Sequence, residues 1–240
     1  MKFFIIGDSY GCGEWEIKSK SKTMTLVPDT GVDYYLKNLG HDTTNLSAGS
    51  ACNFGQLRTA YWKLKENCNY DYIIWFHTEP VRDIVEHIID DPTDGLKQYP
   101  NFKNIKDYSV ALKYINECNY AFAQDRLYAE FNIPFIVIGG VGRLEDSIDN
   151  FTFAKYKIYS WIEELLNINY KLPKNLNGWQ RSKEVIDYFD LFDKQSVLDE
   201  ITQAENYQRL LNLSSLFPDS VHPCREEYET LAYRILNMLQ

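Results

Sequence analysis

Consecutive apolar residues gather at three places along the chain: Phe3 to Ile6, Tyr72 to Phe76 and Phe135 to Ile138. Each run is too short for a helix, rich in β-branched or aromatic residues, and closed by a turn signal, so each predicts a strand. Their hydrophobicity is continuous rather than alternating, as in a parallel sheet covered on both faces. A weaker fourth strand is predicted over Thr43 to Leu46. Between strands the apolar positions change to helical spacing. Leu57, Ala60, Tyr61, Leu64 and Cys68 form one stripe, and Tyr108, Ala111, Leu112, Ile115, Cys118 and Phe122 another. Near the end, Tyr228, Leu231, Ala232, Ile235, Leu236 and Leu239 form the clearest. This alternation predicts an α/β fold with an open doubly wound sheet and functional groups at the carboxyl ends of its strands.

At 240 residues and 45% hydrophobic content, one core suffices and one domain, 1–240, is expected. Two polar, turn-rich segments, 83–104 and 170–217, read as helical or loop insertions, either a lid over the site or surface decoration. The net charge of −9 and the lack of a basic stripe disfavour nucleic acid and anionic membranes as partners. No apolar run reaches the length of a membrane span, and Phe3 to Ile6 is too short for a signal-peptide core. A cytoplasmic protein is expected, or one released without a cleaved signal. The five cysteines, Cys12, Cys52, Cys68, Cys118 and Cys224, contain no C-x-x-C pair, so neither a zinc site nor a disulfide framework is indicated. They read as small buried residues, with Cys12 and Cys52 also placed to line a pocket.

Candidate chemistry sits at both ends of the chain. The first strand runs into Gly7-Asp8-Ser9-Tyr10-Gly11. Glycines there permit a sharp turn that exposes the Ser9 hydroxyl past the strand end. A lone serine is a weak nucleophile and equally a good helix cap, so Ser9 needs a base nearby. "FPDSVHP", residues 217–223, supplies one just before the last helix. Asp219 and His222 are three residues apart, close enough for the carboxylate to hold one imidazole nitrogen while the other faces a serine. Pro223 keeps His222 out of helical conformation. The plainer alternative is a turn aspartate beside a solvated histidine. A third element, "NLSAGSACNFG" at residues 45–55, offers the Gly49 amide as an oxyanion donor, or else a loop in which Asn53 caps the next helix.

Taken in order, "GDSYG", "NLSAGS" and "DSVHP" resemble the blocks of the SGNH hydrolases, the GDSL-type esterase and lipase superfamily. The resemblance spans nearly the whole chain but rests on few residues. It implies a three-layer α/β/α, flavodoxin-like fold with a mostly parallel sheet. It also implies serine-dependent hydrolysis of esters without metal or organic cofactor, often of acetyl groups on carbohydrates or acyl groups on lipids. By position, Ser9 is then the nucleophile, His222 the base and Asp219 its orienter, with Ser9 and Gly49 amides as oxyanion donors. The family usually carries an asparagine donor after the third strand, where this chain reads "IIWFHTEPVRD". Thr78 or Glu79 stands there instead. Either Thr78 donates its hydroxyl, or Glu79 turns away and pairs with Arg82, or the site is catalytically weak. Asp8 and Asn53 are further candidates for the pocket.

Other signals carry less. His77, at the same strand end, is either a proton donor or a structural histidine. Asp83, Glu86, His87 and Asp90 fall on one helical face, which suits a divalent metal or, in so acidic a chain, a solvated surface. Gly139-Gly140-Val141-Gly142 lacks the pattern of a phosphate cradle and reads as a tight strand exit. The leading reading is a hydrolase that removes a small O-acyl group from a carbohydrate or similar ester. The alternative keeps the fold as a glycan- or protein-binding module, a role suited to 18 Tyr and 5 Trp.

Overall fold

The apolar strands assemble into one parallel sheet. The computed structural model describes residues 1–18, 23–78, 80, 82–83, 108–140, 142–166, 215–219 and 221–240, with backbone only over 108–114. The predicted insertions at 83–104 and 170–217 fall outside these residues, apart from Asp83 and 215–217. Five strands, β1 (Lys2–Gly7), β4 (Asp42–Asn45), β5 (Tyr72–His77), β6 (Phe135–Gly139) and β7 (Ala154–Ile158), lie in the order β4-β1-β5-β6-β7. Every pairing in this sheet is parallel. That is the flavodoxin order, in which the first strand is flanked by the second and third of the sheet. The expected α/β fold class is the one observed.

Period-two side-chain alternation divides the strands between two helical layers. Phe3, Ile5, Ile74, Phe76, Ile136 and Ile138 point to one face. There they pack on α2 (Val32–Asn38), α5 (Trp161–Leu166) and the last helix, α6 (Arg225–Met238). Phe4, Ile6, Ile73, Trp75, Phe135 and Val137 point to the other. There they meet α3 (Asn53–Glu66) and α4 (Tyr108–Phe122), which continues through a π-helical turn, Ala123–Tyr128, to Phe131. Of the predicted stripe near the end of the chain, Tyr228, Leu231, Ala232 and Ile235 are fully buried, while Leu236 and Leu239 are only partly buried. Each such side chain removed from water contributes roughly 1.5–3 kcal/mol, so α6 is held by packing rather than by propensity. Cys68 lies past the end of α3 and is exposed, outside the stripe predicted for it.

Several elements were not apparent from the sequence, the helices α2 and α5 among them. α1 (Ser9–Cys12) is a single turn directly after β1. An antiparallel hairpin follows, β2 (Trp15–Lys18) with β3 (Thr23–Leu26). β7 closes the far edge of the sheet, with Ala154 and Ile158 buried on opposite faces and Lys155 exposed. The fourth strand lies one residue earlier than expected, at Asp42–Asn45. Among the described residues no helix is long and apolar enough to cross a membrane.

Gly7 makes the step from β1 into the turn at Ser9 possible. Its φ is +149°, and a Cβ there would lie 2.6 Å from the Phe76 Cβ. Gly40 also has positive φ, +83°, but an added Cβ would meet nothing within 4 Å. Gly7→Ala should therefore lower the unfolding free energy by about 3 kcal/mol, combining backbone strain with overpacking. Gly40→Ala should lose only about 1 kcal/mol, the strain alone. Urea denaturation of the two variants checks the difference.

Candidate active site

The turn after β1 and the loop before α6 meet at the carboxyl edge of the sheet. The Ser9 Oγ lies 2.7 Å from His222 Nε2, and His222 Nδ1 lies 2.6 Å from Asp219 Oδ2. Asp219 Oδ1 accepts the backbone amides of Val221 at 3.0 Å and His222 at 2.7 Å. This Asx turn fixes the three-residue spacing, because the same carboxylate shapes the loop and receives the ring. With the carboxylate as acceptor, the imidazole proton sits on Nδ1, and Nε2 accepts from the Ser9 hydroxyl. All three residues are buried, Ser9 at 8%, His222 at 5% and Asp219 at 1% relative exposure, so water screens the array little.

The serine turn is built around Asp8. Its Oδ1 accepts the Tyr10 amide at 3.0 Å, and its carbonyl accepts the Gly11 amide, capping α1. The Ser9 amide, first in the turn, has no helical acceptor to serve. Asp8 Oδ2 receives the Thr78 hydroxyl at 2.7 Å and faces the Arg82 guanidinium at 3.5 Å. Asp8 is thus a buried structural carboxylate, directed inward rather than lining a pocket.

The expected oxyanion donors divide. Gly49 sits in an exposed turn from Ala48 to Ala51, followed by Ser50 with φ +63°. A Cβ on Gly49 would stand 3.3 Å from the Trp15 ring. Thr78 corrects the expectation: its single hydroxyl proton goes to Asp8, and its backbone N–H and C=O are both held by the Asn53 amide, at 2.9 and 3.0 Å. Arg82 faces Asp8, and Glu79 lies outside the described residues. Asn53 likewise corrects two expectations. It is 1% exposed, spent on Thr78 and Asp83, and the cap of α3 is Cys52, whose Sγ accepts the Gly55 amide.

Asp83 is no part of a solvated acidic face. It is buried, and accepts the Phe54 amide at 2.8 Å and the Asn119 side chain at 3.0 Å. Its proposed companions Glu86, His87 and Asp90 fall outside the described residues. His77 is buried, with Nε2 3.1 Å from the Asn116 side-chain oxygen. Gly139 and Gly140 form the tight strand exit expected. A Cβ on Gly139 would collide with the Tyr159 carbonyl, and one on Gly140 would lie 3.2 Å from the Tyr10 Cβ and 3.3 Å from its ring. Cys12 lines a cavity of about 310 Å³ beside the turn. Burial first, then the charges of Asp8 and Asp33, pushes its thiol up to about 12, so it is no nucleophile at neutral pH.

Over its length the chain is similar in structure to several esterases. A carbohydrate acetylesterase family member from Sinorhizobium meliloti matches at 12% identity and a TM-score of 0.43, covering 99% of this chain and 98% of that one. An aryl esterase from M. smegmatis matches at 10% identity and 0.45, covering 99% and 97%. An acetylxylan esterase from Geobacillus stearothermophilus matches at 14% and 0.40, covering 98% and 92%. No protein-family model and no curated protein matches the chain. What the site can do is carried by its side chains.

Two groups at the site had no warning in the sequence reading. Trp15 stacks on His222, with ring centroids 5.3 Å apart and planes 30° apart, and its Nε1 donates to the Ser9 carbonyl at 3.2 Å. Tyr10 reaches across and donates its hydroxyl to the Val221 carbonyl at 2.6 Å. The alternation of Trp15-Glu16-Ile17 and Met24-Thr25-Leu26 was the signal for the hairpin that carries Trp15.

Burial raises Asp83 to about 6, more than its hydrogen bonds lower it. A carboxyl raised in the folded state makes folding bind protons. Its contribution is full below the unfolded value of about 4 and is lost as pH rises through about 6. Stability should therefore fall across that window by an amount on the order of 3 kcal/mol from this group. Asp83→Asn should flatten that part of the profile, read by urea midpoints from pH 4 to 7.

Proposed function

We propose that this protein is a serine ester hydrolase of the SGNH type, acting on a small O-acyl group such as acetyl on a carbohydrate or similar substrate. The observation that carries the reading is the 2.7 Å approach of Ser9 Oγ to His222 Nε2, with Asp219 on the opposite nitrogen. In the reaction, Ser9 Oγ bonds to the ester carbonyl carbon as His222 Nε2 takes its proton. The carbonyl oxygen becomes an oxyanion toward the Ser9 and Gly49 amides. As the tetrahedral species collapses, the carbon–oxygen bond to the alcohol breaks and His222 returns the proton to the leaving oxygen. Water, activated by the same imidazole, then releases the acyl group. Asp219 holds the tautomer and stabilises the imidazolium throughout. Each step uses side chains and amides of this chain.

One observation favours a second reading, a binding module on the same fold. Thr78 spends its proton on Asp8, so the place of the usual third oxyanion donor offers no free hydroxyl. A missing donor slows such a reaction by roughly 10²–10³-fold without abolishing it, so hydrolysis remains the stronger reading.

Labelling with a fluorophosphonate probe and turnover of p-nitrophenyl acetate test the proposal together. The wild type should label and turn over. Ser9→Ala should not label, and Ser9→Ala and His222→Ala should each lose on the order of 10³-fold or more in kcat/KM. Asp219→Asn, which keeps the shape but not the charge, should lose about 10⁴-fold in kcat. Equal labelling of wild type and Ser9→Ala defeats the proposal. Glycan binding that survives Ser9→Ala in a protein without ester turnover supports the module.

A further inference from the structure

The β2–β3 hairpin stands directly beside the Ser9–His222 pair, and its two faces differ. Trp15 pairs with Leu26 and Ile17 with Met24, and directly opposed residues of an antiparallel ladder share a face. One face is therefore Trp15, Leu26, Ile17 and Met24, while Glu16, Thr23 and Thr25 occupy the other. The apolar face is not folded into the core: Ile17 is 48%, Met24 44% and Leu26 38% exposed. Exposed apolar residues in a single contiguous stripe mark a binding surface more often than scattered ones do.

The stripe begins at the reacting groups. Trp15 donates to the Ser9 carbonyl, stacks on His222, and borders Gly49. The base of the hairpin is tied down. Val27 N donates to the Glu14 carbonyl, and the Glu14 carboxylate receives the Arg225 amide at 2.7 Å and its guanidinium at 2.8 Å. The face is thus held in a fixed relation to the imidazole. In ester cleavage that imidazole hands its proton to the departing alcohol, so the surface continuous with the ring is met by the alcohol half of the substrate.

Resting on the esterase reading above, we propose that the hairpin selects the leaving alcohol, seating an alkyl or aryl group against Trp15, Ile17 and Met24. The acyl group stays small, and the alcohol is apolar for several carbons beyond the scissile oxygen, which keeps the ester chemistry proposed above and replaces its carbohydrate alcohol with an apolar one.

The test varies the alcohol at constant acetyl. In the wild type, kcat/KM for hexyl acetate should exceed that for ethyl acetate by about 10-fold, a partial yield from four methylenes on an open face. In Ile17→Ser/Met24→Ser the ratio should fall to about 2 or below, and Glu16→Gln, on the opposite face, should keep the wild-type ratio. An acetylated methyl xyloside should be a poorer substrate than hexyl acetate. Binding of the two alkyl acetates to Ser9→Ala, with and without the hairpin substitutions, gives the same comparison without turnover. Turnover with one ratio in wild type and hairpin variant overturns the assignment and leaves the esterase reading intact. No turnover, but tighter hexyl acetate binding that the hairpin substitutions abolish, overturns the esterase reading and leaves the apolar site. A xyloside preferred over hexyl acetate also overturns the assignment.

Discussion

The contact between Ser9 and His222 joins residues 213 positions apart, and everything proposed for this protein depends on it. Closing so long a segment costs on the order of 5 kcal/mol in chain entropy, whereas one hydrogen bond contributes only about 1 kcal/mol net. The contact is therefore a result of the fold and not its cause. The two ends are brought together by α6, whose buried stripe packs on the sheet face that carries Phe3 and Ile5. Polar ties then set the fine geometry: Tyr10 to the Val221 carbonyl, Tyr228 to the Gly13 carbonyl, and Glu14 to the amide and guanidinium of Arg225. Each links the segment around the serine to the segment around the histidine.

A second polar group holds the strand ends from beneath. Asp8, Thr78, Asn53, Asp83 and Asn119 are all buried and joined in one hydrogen-bonded series from β1 across β5 to α3 and α4. Burying two carboxylates is costly, and the compensation is visible in the Arg82 guanidinium beside Asp8 and the three donors around Asp83. Thr78 thereby braces the serine turn, spending its hydroxyl proton on Asp8.

The parts legible in the sequence are those governed by local rules. β1, β5 and β6 announced themselves because strands covered on both faces need unbroken apolar runs. β7 did not, because an edge strand alternates: "AKYKI" buries only Ala154 and Ile158 well. The hairpin was hidden for a related reason, since its alternating strands are short and its connection is rich in lysine and serine. Ser9, Asp219 and His222 were legible from residue type and position, and the Asp219–His222 pairing from spacing. Direction was not legible. Asp8 and Asn53 have the right chemistry for a pocket, yet both turn inward to partners more than 20 residues away. Trp15 owes its place beside His222 to a turn and a ladder that no single window of residues contains.

The order of the elements along the chain has one more consequence. All five strands of the sheet are complete by Ile158, while the carboxylate and imidazole that would activate Ser9 arrive only with residues 219 to 222. Domains begin to organise from the amino end as the polypeptide leaves the ribosome. A nascent molecule can therefore hold its sheet and its serine while having no group able to accept the hydroxyl proton. On the chemistry proposed above, reactivity would arrive last, with the docking of the final helix, and a product truncated before residue 219 would be inert.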